Sequence, residues 1–151
     1  MSRLVPPKAR RKARGLPYVL EEQIGFILRQ VYQRHSTIFA EQMESGLTPT
    51  QWTALVKLFE VGPCSQNRLG RIAAMDVATI KGVIDRLTAR GLTETSQDPE
   101  DGRRLSVSLT EVGRLAVENA LPNAIGITEL TLGPLAPKER ETLLLLLSKL
   151  I

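Results

Sequence analysis

From Val19 to about Ser45 the apolar positions Leu20, Ile24, Ile27, Leu28, Val31, Ile38, Phe39 and Met43 recur three and four apart. That interval stacks side chains on one side of a helix, and Gly46 is placed to end it. "LTPTQWTALVKLFEVGP" restarts a helix, with Thr48 as a good N-cap, Pro49 suited to the first turn, and Gly62-Pro63 as the stop. "SQNRLGRIAAM" opens on Ser65 as cap and directs Leu69, Ile72 and Ala73 inward, with a short turn at Met75. "DVATIKGVIDRLTARG" begins at Asp76 as cap, places Val77, Ile80, Ile84 and Leu87 on one face, and stops at Gly91. The period then changes. Leu92 to Thr95 supply one strand and "SQDPEDG" a turn, and Leu105, Val107 and Leu109 alternate with Ser106 and Ser108 as a strand with one buried face.

Two short helices joined by a tight connection, the second followed at once by a two-stranded hairpin, make a winged helix-turn-helix. In that architecture the second helix can enter a major groove while the hairpin tip reaches the flanking backbone or minor groove. After the hairpin, Thr110 caps "EVGRLAVENAL", where Pro122 predicts a kink or a break. "NAIGITELTLG" reads as a further helical segment, and Pro137 as the first residue of "KERETLLLLLSKLI". Five consecutive leucines, Leu143 to Leu147, cover every side of a helix, and a monomer of this size would bury only one of them. Leu20 to Phe39 makes a similar demand, so the two ends are expected to form one dimerisation layer. The expected fold class is therefore mainly α with a small β-hairpin wing: a winged helix-turn-helix over about 48–110, and dimerisation helices over about 19–46 and 111–151. Residues 19–151 read as a single domain behind a basic N-terminal arm over 1–18.

At 151 residues, with 42% apolar and 24% charged residues, the chain suits one soluble domain with a real core. The net charge of +4 is concentrated at one end. "RLVPPKARRKAR" holds six cations and no acid, and removing these six from the 20 Lys and Arg leaves 14 cations against 16 acids. That stretch is either a solvated leader or an arm that follows phosphates. The longest leucine run is far too short to span a bilayer, the N-terminus lacks an apolar signal region, and a single cysteine cannot form an internal disulfide. A cytoplasmic protein with no membrane partner is expected.

Catalysis needs convergent groups, and the sequence is poor in them. It has one His and one Cys, no paired metal-ligand spacing, no glycine-rich phosphate loop and no nucleophile elbow. No catalytic residue, metal or cofactor is expected. Asp98, Glu100 and Asp101 fall on a turn without a pocket. Cys64, beside Pro63, is either a redox-sensing thiol or a small half-buried filler. His35 shares an inward stripe with Tyr32, Phe39 and Trp52, where it is either a hydrogen-bonded core residue or a ligand contact. The outward side of the second short helix carries Ala78, Thr79, Lys81, Gly82 and Asp85. Small Ala and Thr allow close approach to base edges, and Lys81 can reach guanine or a phosphate.

These residues resemble the MarR family of winged-helix transcription regulators over roughly Leu20 to Ile151. The family wing carries Asp, any residue, Arg, five residues, then Leu-Thr, and Asp101, Arg103, Leu109 and Thr110 reproduce that spacing. The resemblance implies that Arg103 is the minor-groove finger and that Asp101 helps hold the wing. Asp85, Arg86 and Leu87, followed by "TARGL", match the family's ending of the recognition helix. Where many relatives have "STVTRLVDRL" this chain has "ATIKGVIDRL", so Lys81 and Gly82 replace a frequent Thr and Arg. The last helix begins at Ala136-Pro137 without the usual hydroxyl cap. "EEQIGFILRQ", "LTPTQWTAL" and "ATIKGVIDRL" look like a subgroup controlling catabolism of aromatic acids, sometimes through the coenzyme A thioester. That narrower resemblance implies a ligand cavity between the first, second and fifth helices.

The expected function is a homodimeric DNA-binding regulator, a repressor released from a pseudo-palindromic operator by a small aromatic acid or its coenzyme A thioester. DNA contacts are expected at Ser65, Gln66, Ala78, Thr79, Lys81, Gly82, Arg86, Asp101, Arg103 and Arg104. Ligand contacts are expected at Tyr32, His35, Phe39 and Trp52. The alternative is a dimeric protein-interaction scaffold using the same fold without sequence-specific DNA binding.

Overall fold

The computed structural model describes residues 17–151, so the expected basic arm lies, up to residue 16, outside the described residues. The chain divides into two units, one ending at Arg34 and the other running from His35 to Ile151. In the first, a single 3-10 turn at Leu20–Glu22 precedes the start of helix α1 (Ile24–Gln42), rather than one continuous helix from Val19. Gln23 marks that break, with its backbone extended and its side chain donating to the Val19 carbonyl oxygen at 2.8 Å. Ile24, Val31 and Tyr32 are exposed.

The second unit contains the rest of α1 and then α2 (Pro49–Val61), β1 (Cys64–Ser65), α3 (Gln66–Ile72), α4 (Val77–Ala89), β2 (Thr93–Gln97), β3 (Leu105–Leu109), α5 (Glu111–Leu132) and α6 (Pro137–Ser148). Its helix starts follow the sequence. Thr48, Ser65, Asp76 and Thr110 each accept a hydrogen bond from the backbone N–H three residues on, which satisfies one of the open donors of a helix N-terminus. Thr48 forms a full capping box, because Gln51 returns the favour to the Thr48 N–H. α6 has half of such a box: Ala136 offers no side-chain acceptor, but Glu139 Oε2 accepts from the Ala136 N–H at 2.8 Å.

Leu55, Leu58, Leu69, Ile80, Val83, Ile84, Leu87, Val107, Val117 and Ile127 form the core, contributed by α2, α3, α4, β3 and α5. One expected member is missing. Val77 is 69% exposed, because it occupies the first position after the Asp76 cap and Ile80 begins the inward stripe instead.

The sheet departs from expectation in two ways. It has three antiparallel strands in the order β1-β3-β2, since Cys64 pairs with Val107 and Ser65 with Ser106. With both edges of β3 paired, the alternation along it is not clean. Leu105 is exposed while Ser106 and Val107 are both buried, as the strand leaves the core toward the turn. Cys64 is buried, and burial pushes its thiol pKa up against the opposing pull of Arg68.

Pro122 does not break the chain, one of the two outcomes expected of it: α5 runs through it as one helix of 22 residues. Val117 and Ala120 before it and Ile127 after it are buried in the same core, and Asn123 Nδ2 donates to the Gln42 carbonyl oxygen at 2.8 Å. Packing on both sides outweighs the lost backbone hydrogen bond. In α6, Leu143 to Leu146 are exposed and Leu147 is half-buried, so the leucine run is left without cover.

Candidate nucleic-acid interface

The expected DNA-facing residues lie on α3, α4 and the β2–β3 turn. α4 is 13 residues long, about 20 Å at the helical rise per residue. Its core face is fixed by Ile80, Val83, Ile84 and Leu87, which leaves Val77, Ala78, Thr79, Lys81, Asp85 and Arg86 exposed. Ala74, with φ of 54°, provides the reversal between α3 and α4. α3 fits close against that reversal because Gly70 has no side chain: a Cβ there would sit 3.1 Å from Ile80 Cγ2 and 3.2 Å from the Met75 carbonyl oxygen.

One ion pair lies on the exposed face of α4. Lys81 Nζ lies 2.7 Å from Asp85 Oδ2, with both side chains well exposed. Asp76 is held below the usual carboxylate range, chiefly by the Thr79 backbone N–H that it caps. The Arg86 guanidinium leans back over Gly82, where a Cβ would meet it at 3.8 Å, an ordinary contact. Gly82 is therefore not required sterically; it leaves the helix surface flat beneath a cation.

The wing turn is closed by its own backbone and by Asp101. The Asp98 N–H donates to the Arg104 carbonyl oxygen at 2.8 Å, and the Arg104 N–H to the Asp101 carbonyl oxygen at 2.9 Å. Asp101 Oδ1 accepts from the Arg103 backbone N–H at 3.1 Å, while Oδ2 pairs with Arg104 Nε at 3.4 Å. Arg104 is thus tied into the turn. Arg103 is exposed, and no ion pair among the described residues involves it.

Two clefts line the same face. One of about 450 Å³ runs between α3 and the wing, bounded by Ser65, Gln66, Asn67, Arg71, Arg104 and Leu105. A second, of about 340 Å³, separates α3 from α4 and shares Asn67 and Arg71. Ser65 is committed to capping α3 through Arg68 N at 3.2 Å. Asn67 and Arg71, which were not among the expected contacts, border both clefts. Their exposure on a seven-residue helix beside Leu69 and Ile72 was the available signal.

Residues 47–105, which contain this whole surface, match the MarR family. The HTH-type transcriptional repressor NicR of Pseudomonas putida is 43% identical over 136 residues, covering 89% of this chain and 86% of that protein. The chain belongs to the MarR family. Among solved MarR-like structures, a probable transcriptional regulator from Pseudomonas aeruginosa is 56% identical, covers 88% of this chain and 100% of its own, and superposes with a TM-score of 0.86. BpsR of Bordetella bronchiseptica is 43% identical over 89% of this chain and 97% of its own, with a TM-score of 0.84. DNA binding by BpsR is regulated by 6-hydroxynicotinic acid. As a MarR-family protein the chain is a DNA-binding transcriptional regulator.

The expected effector residues of this MarR protein are placed less uniformly. Phe39 is buried in the core, and its ring centroid is 6.2 Å from that of His35. His35 is half-buried, with Nδ1 2.9 Å from Thr131 Oγ1 on α5. Thr131 Oγ1 also lies 2.8 Å from the Ile127 carbonyl oxygen, so the hydroxyl sits between His35 and the backbone of α5. Trp52 is half-buried against the core, and Tyr32 is 58% exposed in the other unit. A cavity of about 200 Å³ next to Phe39 is lined by Ser36 of α1, by Met43 and Leu47 in the connection after it, and by Pro49 at the start of α2, but not by His35 or Trp52. Among the described residues, no helix is long and apolar enough to cross a membrane.

Proposed function

We propose that this regulator binds a pseudo-palindromic duplex as a homodimer and represses until a small aromatic acid releases it. In this reading α4 enters the major groove, with Ala78, Thr79, Lys81, Gly82 and Arg86 toward the bases. The wing carries Arg103 to the minor groove, and Ser65, Gln66, Asn67, Arg71 and Arg104 border one strand's phosphates. The carrying observation is the division of labour at the wing tip: Asp101 fixes the turn and engages Arg104, leaving Arg103 as the projecting cation. Genomic fragments enriched by the purified protein should share an inverted repeat with half-sites about 34–36 Å apart. Their affinity should fall steeply with added salt, as counterion release demands. Enrichment without a shared motif, or affinity indifferent to salt, overturns the reading and favours a protein-interaction scaffold.

The effector class rests on BpsR, on the ring contact of His35 with Phe39, and on the orientation of His35 by Thr131. A hydroxylated aromatic or pyridine carboxylate offers both a flat apolar ring and an anionic end. Trp52 is the one tryptophan of the chain, so saturable quenching of its fluorescence by 6-hydroxynicotinate or a hydroxybenzoate is expected at concentrations that release the operator. Coenzyme A thioesters form the second arm of that titration. Release only by a non-aromatic metabolite would sink the effector class and leave the regulator intact.

A further inference from the structure

We infer that Arg90 is a positioning residue for the recognition helix, clamping its C-terminal end to the corner between α1 and α2. Arg90 is the residue at which α4 ends: its own N–H donates to the Arg86 carbonyl oxygen, and Gly91, at φ of 71°, turns the chain toward β2. Its backbone therefore belongs both to the helix that carries Lys81 and Arg86 and to the root of the wing. Its guanidinium leaves that neighbourhood. Nη2 donates to the Ser45 carbonyl oxygen at 2.8 Å, and Nη1 to Gln51 Oε1 at 3.4 Å.

The corner it grips has hydrogen bonds and buried residues of its own. Gly46 takes φ of 68°, its N–H donates to the Met43 carbonyl oxygen, and Met43 and Leu47 are buried. Gln51, itself 6% exposed, holds the Thr48 N–H with the same oxygen that Arg90 reaches. On the other side, Asn123 of α5 holds the Gln42 carbonyl oxygen. The end of α1, the start of α2, the middle of α5 and the end of α4 are thus fastened at one place, and Arg90 is the fastening on the DNA-reading side. A planar fork presents separate nitrogens to two acceptors in fixed directions; an ammonium has three donors, but all on one nitrogen at the end of a flexible stem, so it fixes no plane. A displacement of α1 against α5, which carry the His35 and Thr131 contact, would reach the recognition helix through this fork. The inference deepens the proposed function and rests on it for the DNA readout alone.

The test compares the full-length wild type with Arg90→Gln and Arg90→Lys. In the free proteins, amide exchange of residues 43–51 and of Arg90 to Leu92 should accelerate together in Arg90→Gln, with little change in melting temperature. With an enriched genomic fragment, preference over random duplex should fall about tenfold, the scale of one net hydrogen bond or a little more, while affinity for random duplex and its salt slope stay unchanged. Arg90→Lys should recover less than half of either effect. Unchanged exchange in the free Arg90→Gln protein overturns the clamp, whatever the DNA result. An equal loss of affinity for random and enriched duplex would make Arg90 a phosphate contact instead, and full recovery by Lys would reduce its role to charge. A wild type that prefers no fragment defeats the proposed function, whereas the exchange comparison still decides the clamp.

Discussion

Asp101 serves two arginines in different ways, and their variants should separate accordingly. Arg103→Ala should weaken operator binding by about 1–3 kcal/mol, the range of a specific side-chain contact to DNA, with an unchanged melting temperature. Arg104→Ala should cost less, because Arg104 is turned back onto Asp101 and Arg103 is the arginine that matches the wing motif. Equal losses in a binding titration of the two variants would refute the division. Asp76 gives a pH prediction whose sign is set by its cap. Its folded pKa is lowered by the Thr79 N–H, so the charged cap stabilises above the unfolded carboxylate value of about 3.9 and that stability is lost as pH falls through the folded value. Asn is also a good cap. The melting-temperature gap between wild type and Asp76→Asn should therefore be open at neutral pH and close as the pH falls through the lowered folded value; a gap that persists in acid would mean that charge is not the cause.

Among the elements, helix starts were the most legible in the sequence, because a cap is a local contract between Thr48, Ser65, Asp76 or Thr110 and an amide three residues on. The third strand was not. Cys64 and Ser65 are too short to show a period, and their pairing depends on β3, some 40 residues later. Pro122 fails to break α5 for a related reason: propensity is local, whereas α5 is held by buried residues on both sides of it. Likewise, the proposed DNA contacts on α4 and the wing follow from caps and motif, whereas Arg71 and Asn67 enter only through the cleft that the wing forms with α3. Gly113 is another such case. A Cβ at Gly113 would land on the Leu92 carbonyl oxygen, so α5 can seat against the entry to β2 only without a side chain there. Thr110 reinforces that joint, donating to the Gly91 carbonyl oxygen at 2.6 Å and accepting from the Gly113 N–H at 3.0 Å. Gly113→Ala should destabilise by about 1–3 kcal/mol, as overpacking does, and thermal unfolding will show it; an unchanged melting temperature would mean that the joint is loose.

At the scale of the whole molecule, the surplus is apolar surface. Leu144, Leu145, Leu146 and Leu150, at the C-terminal end, are each more than half exposed. A patch of that kind marks an interaction surface, and a second copy is the occupant proposed above. Sedimentation should give twice the chain mass, and a chain ending after Gly133 should lose the dimer or aggregate; a folded dimer of the shortened chain would refute the assignment. Its melting temperature should also climb with protein concentration, since association favours the folded form by mass action. Cys64 offers a different kind of access to the whole. It is the chain's single thiol, shut into the seam where β1 meets β3, and it becomes reactive only when that seam parts. The rate at which a thiol reagent modifies it is therefore a stopwatch on the opening of the wing's root, readable on a mass spectrometer without any added label.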